Sequence, residues 1–470
     1  MSRRIYRIAI ALLAAAFAAG CSTTTRPVPV VDVPATSAAP VAGIGRWWTQ
    51  FNDPQLTALI EESLAANLDL GIAVARIEEA RANLRVARSY LFPSVDAYVG
   101  ASRDKLSGAS ATTFVGPLTA NRFSAGLQTS YEVDLSGRVA ASVSAAQSTL
   151  LATRYSTEVV RTVLAAQVAN SYFTLLALDA ELQISRDTLV TRTDAVSLQR
   201  QRYDAGLISE FDLRLAEAER ASVAASIPPL ERVRAETEAA LAALAGRSAR
   251  AVFNPVIARG GPLEASTTPE VPAGLPSDML ARRPDIRQSE AQLAAASARV
   301  AEARAQYFPS LVLTGTYGSE SSDLANLFSG PALVWSIAGR ALQPIVSAGL
   351  ISAQVDAAKA RQQQVELDYV QTVQSAFRDA HNALVAHRSA RESFIAQDER
   401  RTLFAKAFAL AEARYRSGYV SYIDVLDTQR NLLEAERQRV LALRERQAAL
   451  VDLYKAIGGG WSPEQFAATR

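Results

Sequence analysis

The spacing of apolar residues along this 470-residue chain changes period several times, and each change marks an element. After Trp47-Trp48-x-x-Phe51-x-Asp53-Pro54, the residues Leu56, Leu59, Ile60, Leu64, Leu68, Ile72 and Ala75 recur at helical spacing. The pattern predicts one helix running through Arg76-Ile77-Glu78-Glu79-Ala80-Arg81 to Tyr90, stopped by Pro93. The period then falls to two. Val95, Ala97, Val99 and Ala101 alternate with Ser94, Asp96, Tyr98 and Gly100; beyond a Gly/Ser/Thr-rich loop, Phe123, Ala125, Leu127, Thr129, Tyr131 and Val133 alternate with polar neighbours. Two strands of roughly 10–13 residues, apolar on one face only, are long enough to cross an outer membrane. A hairpin half-buried in a soluble sheet would show the same alternation.

From Arg138 to Arg202 there is neither proline nor glycine, and 65 residues at a rise of about 1.5 Å each make a rod of roughly 100 Å. A return segment, Glu210 to Ala245, follows, with Pro228-Pro229 expected to break it midway. Residues 246–277, rich in Pro, Gly and Ser, read as an irregular crossing. The order then repeats. A helix is predicted over 278–308, ending Ala303-Arg304-x-x-x-Phe308-Pro309-Ser310 against the earlier Ala87-Arg88-x-x-x-Phe92-Pro93-Ser94. Strands are predicted at Leu311 to Tyr317 and about Leu333 to Ile345, then a second Pro/Gly-free run from Leu350 to Ser417. In that run Val365, Tyr369, Val373, Ala376, Ala380 and Leu384 step nearer to an 11-residue repeat than a heptad, so neighbouring helices should lie almost straight. A last helix, Asp424 to Ile457, ends at Gly458-Gly459-Gly460, read as a tail. Each long run ends in the same phrase, Arg202-Tyr203-x-x-Gly206-x-x-Ser209-x-x-Asp212 and Arg414-Tyr415-x-x-Gly418-x-x-Ser421-x-x-Asp424: helix stop, tight turn, helix restart. The chain is therefore built from two related halves.

Composition adds little until the N-terminus. Aromatic residues are 7% of the chain, and the abundance of Ala, Leu, Arg, Glu and Gln favours long helices packed side by side. A net charge of +2, near −1 without the first 20 residues, makes no case for nucleic acid. No stretch beyond the N-terminus approaches 18 apolar residues, so no transmembrane helix is expected there. Arg3, Arg4 and Arg7 precede an apolar segment, Ile8 to Ala19, too short to span. Ala18-Ala19-Gly20-Cys21 then resembles a bacterial lipobox, in which Cys21, the chain's one cysteine, would carry diacylglycerol and an N-acyl chain. Ordinary cleavage with Cys21 a bystander is the alternative, and Ser22 after the cysteine fits delivery to the outer membrane.

Four strands cannot close a barrel, and an open edge in lipid leaves backbone groups unpaired at several kcal/mol each. The chain must oligomerise. Trp47-Trp48-x-x-Phe51-x-Asp53-Pro54-x-Leu56-x-x-Leu59-Ile60, Leu280-x-x-Arg283-Pro284-Asp285-Ile286-x-x-x-Glu290-x-x-Leu293 and Arg304-x-x-x-Phe308-Pro309-Ser310 resemble signatures of the TolC-like outer-membrane factors, in the lipoprotein branch (NodT-like) serving RND-type pumps. The likeness runs from about Trp47 to Gly458. It implies a mostly α fold with transmembrane β: a homotrimer with a 12-stranded β-barrel in the outer membrane, continued by a 12-helix periplasmic α-barrel with an equatorial α/β belt. It implies a passive exit duct for drugs or other small molecules, docked to a periplasmic adaptor and an inner-membrane RND transporter. The expected partition is signal peptide 1–20, lipidated tether 21–46, first repeat 47–257, equatorial linker 258–277, second repeat 278–457 and tail 458–470.

The resemblance places both turn phrases at the periplasmic tips. Gly206, Leu207, Ser209, Gly418, Tyr419 and Ser421 become candidate adaptor contacts. Asp424-Val425-Leu426-Asp427 resembles the family's gate sequence, and threefold symmetry would turn Asp424 and Asp427 into carboxylate rings. Such rings repel themselves and attract cations. Tyr203, Tyr415 and Arg430 are candidate latch partners, with Asp212 the first-half counterpart of Asp424; Val420 stands where some relatives have a latch arginine. Asp212 and Asp424 would also serve simply as helix starts, complementing the dipole.

Other chemistry is missing. His381 and His387 do not share a helix face, and no Walker loop or Gly-x-Ser-x-Gly elbow is present, so no enzyme, metal or cofactor is expected. Two alternatives stand beside the efflux duct: a type I protein secretion conduit, and a structural coiled-coil envelope lipoprotein.

Overall fold

A computed structural model describes residues 44–105, 119–265 and 282–461, with single positions 29, 107 and 269. The signal peptide, Cys21, nearly all of the tether, residues 278–281 and the end of the tail lie outside the described residues. Two compact units form. One combines 77–153 with 289–370; the other combines 31–76, 154–288 and 371–470. Each takes matching stretches from both sequence halves, so the units do not coincide with the repeats.

In the first unit, the alternating stretches become β1 (Ser94–Lys105), β2 (Thr119–Val133), β3 (Ser310–Ser321) and β4 (Leu333–Leu342). They form one antiparallel sheet in the order β1-β2-β3-β4. At 10 to 15 residues each, all are membrane-length. The register stacks Ala97, Leu127, Tyr317 and Trp335 across one face, with Val95, Thr129, Gly315 and Ile337 in the adjacent row. Asp96, Gln128, Thr316 and Ser336 form a polar row on the other face, where the Thr316 and Ser336 hydroxyls lie 2.7 Å apart. The apolar face is open: Val99 is 87% and Ile337 83% exposed. Gly126 pairs with Gly318, and a Cβ at Gly318 would meet the Ala125 carbonyl oxygen at 2.4 Å. Only glycines allow that approach. Below β2, Asp134 accepts from the N–H groups of Val139 and Ala140 (3.1 and 2.8 Å), starting the next helix, and Arg138 forks onto Glu132.

The second unit holds the main apolar core. Asp53 caps α1 (Pro54–Ala66) by accepting from Gln55 and Leu56 N–H, with Pro54 in the first turn, where its missing N–H costs nothing. Its second oxygen accepts from the Tyr172 hydroxyl at 2.7 Å, and the Tyr172 oxygen accepts from Gly260 N–H at 2.9 Å. Around this node Trp47 stacks on Tyr454 at 5.6 Å, and Phe51, Leu56, Ile60, Phe173, Leu241 and Leu450 are buried. Each such side chain contributes about 1.5–3 kcal/mol.

Several expectations need correction. The first helix is two: α1, then α2 (Leu68–Ser89), separated at Asn67. Asn67 takes extended backbone angles because its side chain accepts from Leu70 N–H and donates to the Leu244 carbonyl. The long runs are α3 (Arg138–Asp204) and α7 (Leu350–Arg416). By length and composition alone α3 is apolar enough to cross a membrane, but 61% of its apolar window is buried inside the protein, as in a core helix. Pro228-Pro229 does not break α4 (Glu210–Leu244). Two prolines cost the helix about 3 kcal/mol or more each, and burial of Val223 on one side and Leu241 and Ala242 on the other holds it together. A short α5 (Ala249–Phe253) follows, and α6 (Pro284–Ala305) has Arg282 and Arg283 outside the helix before it, while residues 278–281 of the predicted helix lie outside the described residues. α8 (Tyr422–Ala456) ends at glycines that are buried against Arg283 and Thr162, not loose.

Tyr172→Phe should leave the Asp53 carboxylate and Gly260 N–H without their shared partner. We expect a loss of about 1–3 kcal/mol, measured by urea unfolding with circular dichroism and no change in fold.

Candidate functional site

Both repeated phrases fold alike. Helix α3 stops at Gly206 (φ +69°), where Gly206 and Leu207 N–H donate to the Tyr203 and Arg202 carbonyls, both at 2.8 Å. At Gly418 (φ +77°) the same pair runs to Tyr415 and Arg414. These two hydrogen bonds satisfy two of the last carbonyls of each helix, and glycine alone takes the left-handed angle cheaply. Each helix restarts on a serine–aspartate box. The Ser209 hydroxyl donates to Asp212 at 2.7 Å; the Ser421 hydroxyl and N–H donate to Asp424 at 2.6 and 2.9 Å. Those donors hold the Asp424 carboxyl below its usual range.

The turns present bulky apolar groups to solvent. Leu207 and Tyr419 are exposed, and so are Phe211 and Ile423, which the sequence reading missed. Their signal was available: each stands four residues after Leu207 or Tyr419, on the helix side opposite buried Leu213 or Val425. Gly206, Ser209, Gly418 and Ser421 are exposed beside them.

The latch candidates separate into two clusters. The Tyr415 hydroxyl accepts from Arg202 at 2.7 Å and Gln199 at 3.0 Å, the Arg202 guanidinium lies 5.2 Å from the ring centre, and the Tyr422 ring is 5.5 Å away. Tyr203 stays exposed beside this cluster. Burial raises the Tyr422 hydroxyl pKa. Arg430 bonds neither Asp424 nor Asp427 but pairs with Glu219. Glu219 also lies 3.6 Å from Arg192, whose side chain is 1% exposed. Asp427 accepts from Asn431 at 3.2 Å and only attracts Arg430 through space. Sequence reading named Tyr415 and Arg430 but not their partners, because Arg202 and Glu219 lie more than 200 residues away on other helices.

His387 is half-buried and its pKa is pushed down by burial first, then by Arg446 and Arg391; His381 is exposed. Among the described residues no group of His, Cys, Asp and Glu could hold a metal ion.

Membrane-length strands in one sheet, with 67-residue helices ending in exposed turns, define the class: an outer-membrane channel protein. Comparison with known proteins carries this further. The family model described as "Outer membrane efflux protein" matches residues 59–247 and 275–459. The probable efflux pump outer membrane protein TtgC of Pseudomonas putida is 35% identical over 428 residues, covering 91% of this chain and 87% of that one. The pyoverdine export outer membrane protein OpmQ of Pseudomonas aeruginosa is 36% identical over 426 residues, covering 90% and 89%. The open-state crystal structure of the Neisseria gonorrhoeae MtrE outer membrane channel superposes with a TM-score of 0.83 at 32% identity, covering 93% of this chain and 98% of that one. The chain belongs to the outer membrane efflux protein family, as two copies of its repeat, and is an outer-membrane channel component of an efflux pump, extending into the periplasm.

Hydrogen bonding to Arg430 holds the Glu219 carboxyl below the usual carboxylate range. A depressed folded pKa stabilises the folded state at pH values above the unfolded carboxylate's, about 4.3, and that contribution disappears as pH falls through the folded value. Arg430→Gln should therefore shift acid-induced loss of helical signal to higher pH. A midpoint unchanged from the parent would show that this pair carries no acid stability.

Proposed function

We propose that three copies close one 12-stranded barrel in the outer membrane and, with their long helices, form a passive exit duct for small molecules. The observation that supports this reading is the sheet itself. β1 and β4 have no strand partner on their outer edges among the described residues, while the sheet carries an open apolar face. In hydrocarbon, unpaired edges cost several kcal/mol per group, and closure with further copies removes them. Helices with exposed apolar residues, such as Leu367, Ile395, Leu403 and Leu410 on α7, gain cover by the same assembly. A structural coiled-coil lipoprotein leaves the sheet without a purpose.

In this reading the tips are the gate and dock. Asp424 and Asp427, with Asp212, Tyr415, Tyr203 and Arg430 around them, would ring the narrowest point. Gly206, Leu207, Ser209, Gly418, Tyr419 and Ser421, extended by Phe211 and Ile423, would meet a periplasmic adaptor that links the duct to an inner-membrane RND transporter. Residues 1–20 serve as export signal, Cys21 is acylated, and 21–46 tether the chain to the membrane. The segments 47–257 and 278–457 are the two repeats, joined by the linker 258–277 and followed by 458–470, of which Gly458 to Gly460 are packed rather than loose. Relatives that bear the names efflux pump and pyoverdine export support small molecules as the cargo.

Single-channel conductance in planar bilayers tests the duct and the gate together. The parent should give small, cation-selective openings, and Asp424→Ala/Asp427→Ala larger, less selective ones. Silence from both proteins, with helices intact by circular dichroism, would sink the conduit; equal conductance would remove the two carboxylates from the constriction.

A further inference from the structure

The charged residues of the sheet sort by face. The register sets Asp96, Asp104, Arg122, Glu132, Glu320 and Arg340 on the face of the polar row. Of the charged strand residues, Arg103 and Lys105 alone stand on the apolar face, and both are exposed. Both lie at the end of β1 that is farther from the helices, since β1 begins at Ser94 just after α2 and β2 runs back to Val133 just before α3. The helices carry the chain into the periplasm, so that end of the sheet is the exterior rim.

On the polar face, charges meet partners within the chain. Arg122 lies 3.5 Å from Glu320, Glu132 takes Arg138 at 2.7 Å, and Asp104 accepts from the Ser102 hydroxyl at 2.9 Å. Arg103 and Lys105 meet no carboxylate among the described residues. The loop that follows them, 106–118, contains no charged residue. Asp323, in the turn after β3, accepts instead from Ala325 N–H and Asn326 Nδ2 at 3.1 and 3.5 Å. β4, which an adjacent copy in the proposed barrel would set against β1, carries no acid. Two residues apart on one strand face, the two cations stand about 7 Å from each other and repel. A charge on the lipid side of a barrel costs least at the interface, yet a like-charged pair there is stable only with an anion between its members. Their cross-strand neighbours, Asn121 and Thr119, offer uncharged hydrogen-bonding groups. Below them the face turns apolar at Ala101 and Phe123, then at Val99 and Ala125. Farther along, Leu127, Gly315, Tyr317, Trp335 and Ile337 line a groove of about 560 Å³.

We propose that Arg103 and Lys105 hold a phosphate of the glycolipid that forms the exterior leaflet of the outer membrane, with Asn121 and Thr119 beside its sugar and the acyl chains against the apolar face. The inference rests on the barrel reading, which turns that face to lipid, and adds a lipid site to it. Arginine grips phosphate through its planar fork and lysine as a point charge. Charge complementarity selects the partner: a phosphate above acyl chains matches a cation pair above an apolar face. A sugar-based headgroup fits better than a simple phospholipid, because the amide of Asn121 and the hydroxyl of Thr119 flank the cations.

The purified full chain in detergent micelles is titrated with lipid A carrying two phosphates, with the same lipid stripped of both, and with phosphatidylglycerol. Bound lipid per chain is counted by native mass spectrometry. The parent should bind phosphorylated lipid A about tenfold more tightly than Arg103→Gln/Lys105→Gln does, and stripping the phosphates should erase that difference. Arg103→Lys/Lys105→Arg, which keeps both charges, should restore most of the affinity. Arg122→Gln removes a cation from the same rim on the opposite face and should change nothing. Equal affinity of the parent and the double glutamine variant, or an equal loss in Arg122→Gln, overturns the site. The same loss for phosphatidylglycerol reduces the pair to a general attraction for anionic lipid and overturns the glycolipid. Displacement by inorganic phosphate makes it a site for the free ion and overturns the lipid. Where the double variant does not fold, the parent alone decides: no preference for phosphorylated over stripped lipid A overturns the proposal. A parent that conducts in planar bilayers but shows no such preference loses this site and keeps the channel. A parent that alkali strips from vesicles loses the barrel, and this site with it.

Discussion

A backbone N–H group in hydrocarbon has no water to bond, and that constraint governs the rest of this molecule. One chain supplies four hydrogen-bonded strands with an apolar face, and their order leaves β1 and β4 as edges. A sheet of that kind is stable in lipid only when closed, which is the physical ground for the three-copy barrel proposed above. The Gly126–Gly318 pairing belongs to the same logic: a sheet that must curve brings strands too near for side chains on its inner face.

Away from the membrane the problem is reversed. Long helices in water must hide apolar stripes without a thick core, and the second unit concentrates what core it has around one buried node. Asp53, Tyr172 and Gly260 join the N-terminal segment, α3 and the stretch after α5 by two hydrogen bonds, with Trp47 and Tyr454 stacked nearby. Nearer the tips, ionic and hydroxyl contacts replace that packing. A fold stiff at its core and polar at its ends is suited to move at its ends.

Much of this was legible in the sequence because it depends on local periodicity. The strands follow from alternation, the long helices from the absence of proline and glycine, and the turns from glycine followed by a serine–aspartate pair. Failures came where distant groups override local rules. Asn67 separates two helices because the Leu244 carbonyl waits for its amide, whereas Pro228-Pro229 leaves α4 unbroken because buried neighbours hold both sides. Gly458 to Gly460 looked like a tail because glycine carries no apolar signal, although Arg283 and Thr162 close over it. Tyr415 and Arg430 were visible as candidates, but Arg202 and Glu219, which engage them, were not. In a helix rich in charge, nothing local says which charge will be buried.

The interleaving of the two units bears on how the chain reaches its fold. Phe123 of β2 pairs with Ser321 of β3, so the first hairpin keeps a bare edge until the second half of the polypeptide has been delivered. Folding from the N-terminus while the chain emerges is closed to this topology, and such long-range pairing is slow. Until β3 arrives, the apolar face and outer edge of β2 have no partner in the chain. The order of the strands therefore requires the first half to wait for the second, with an unpaired apolar segment exposed to aggregation in the meantime.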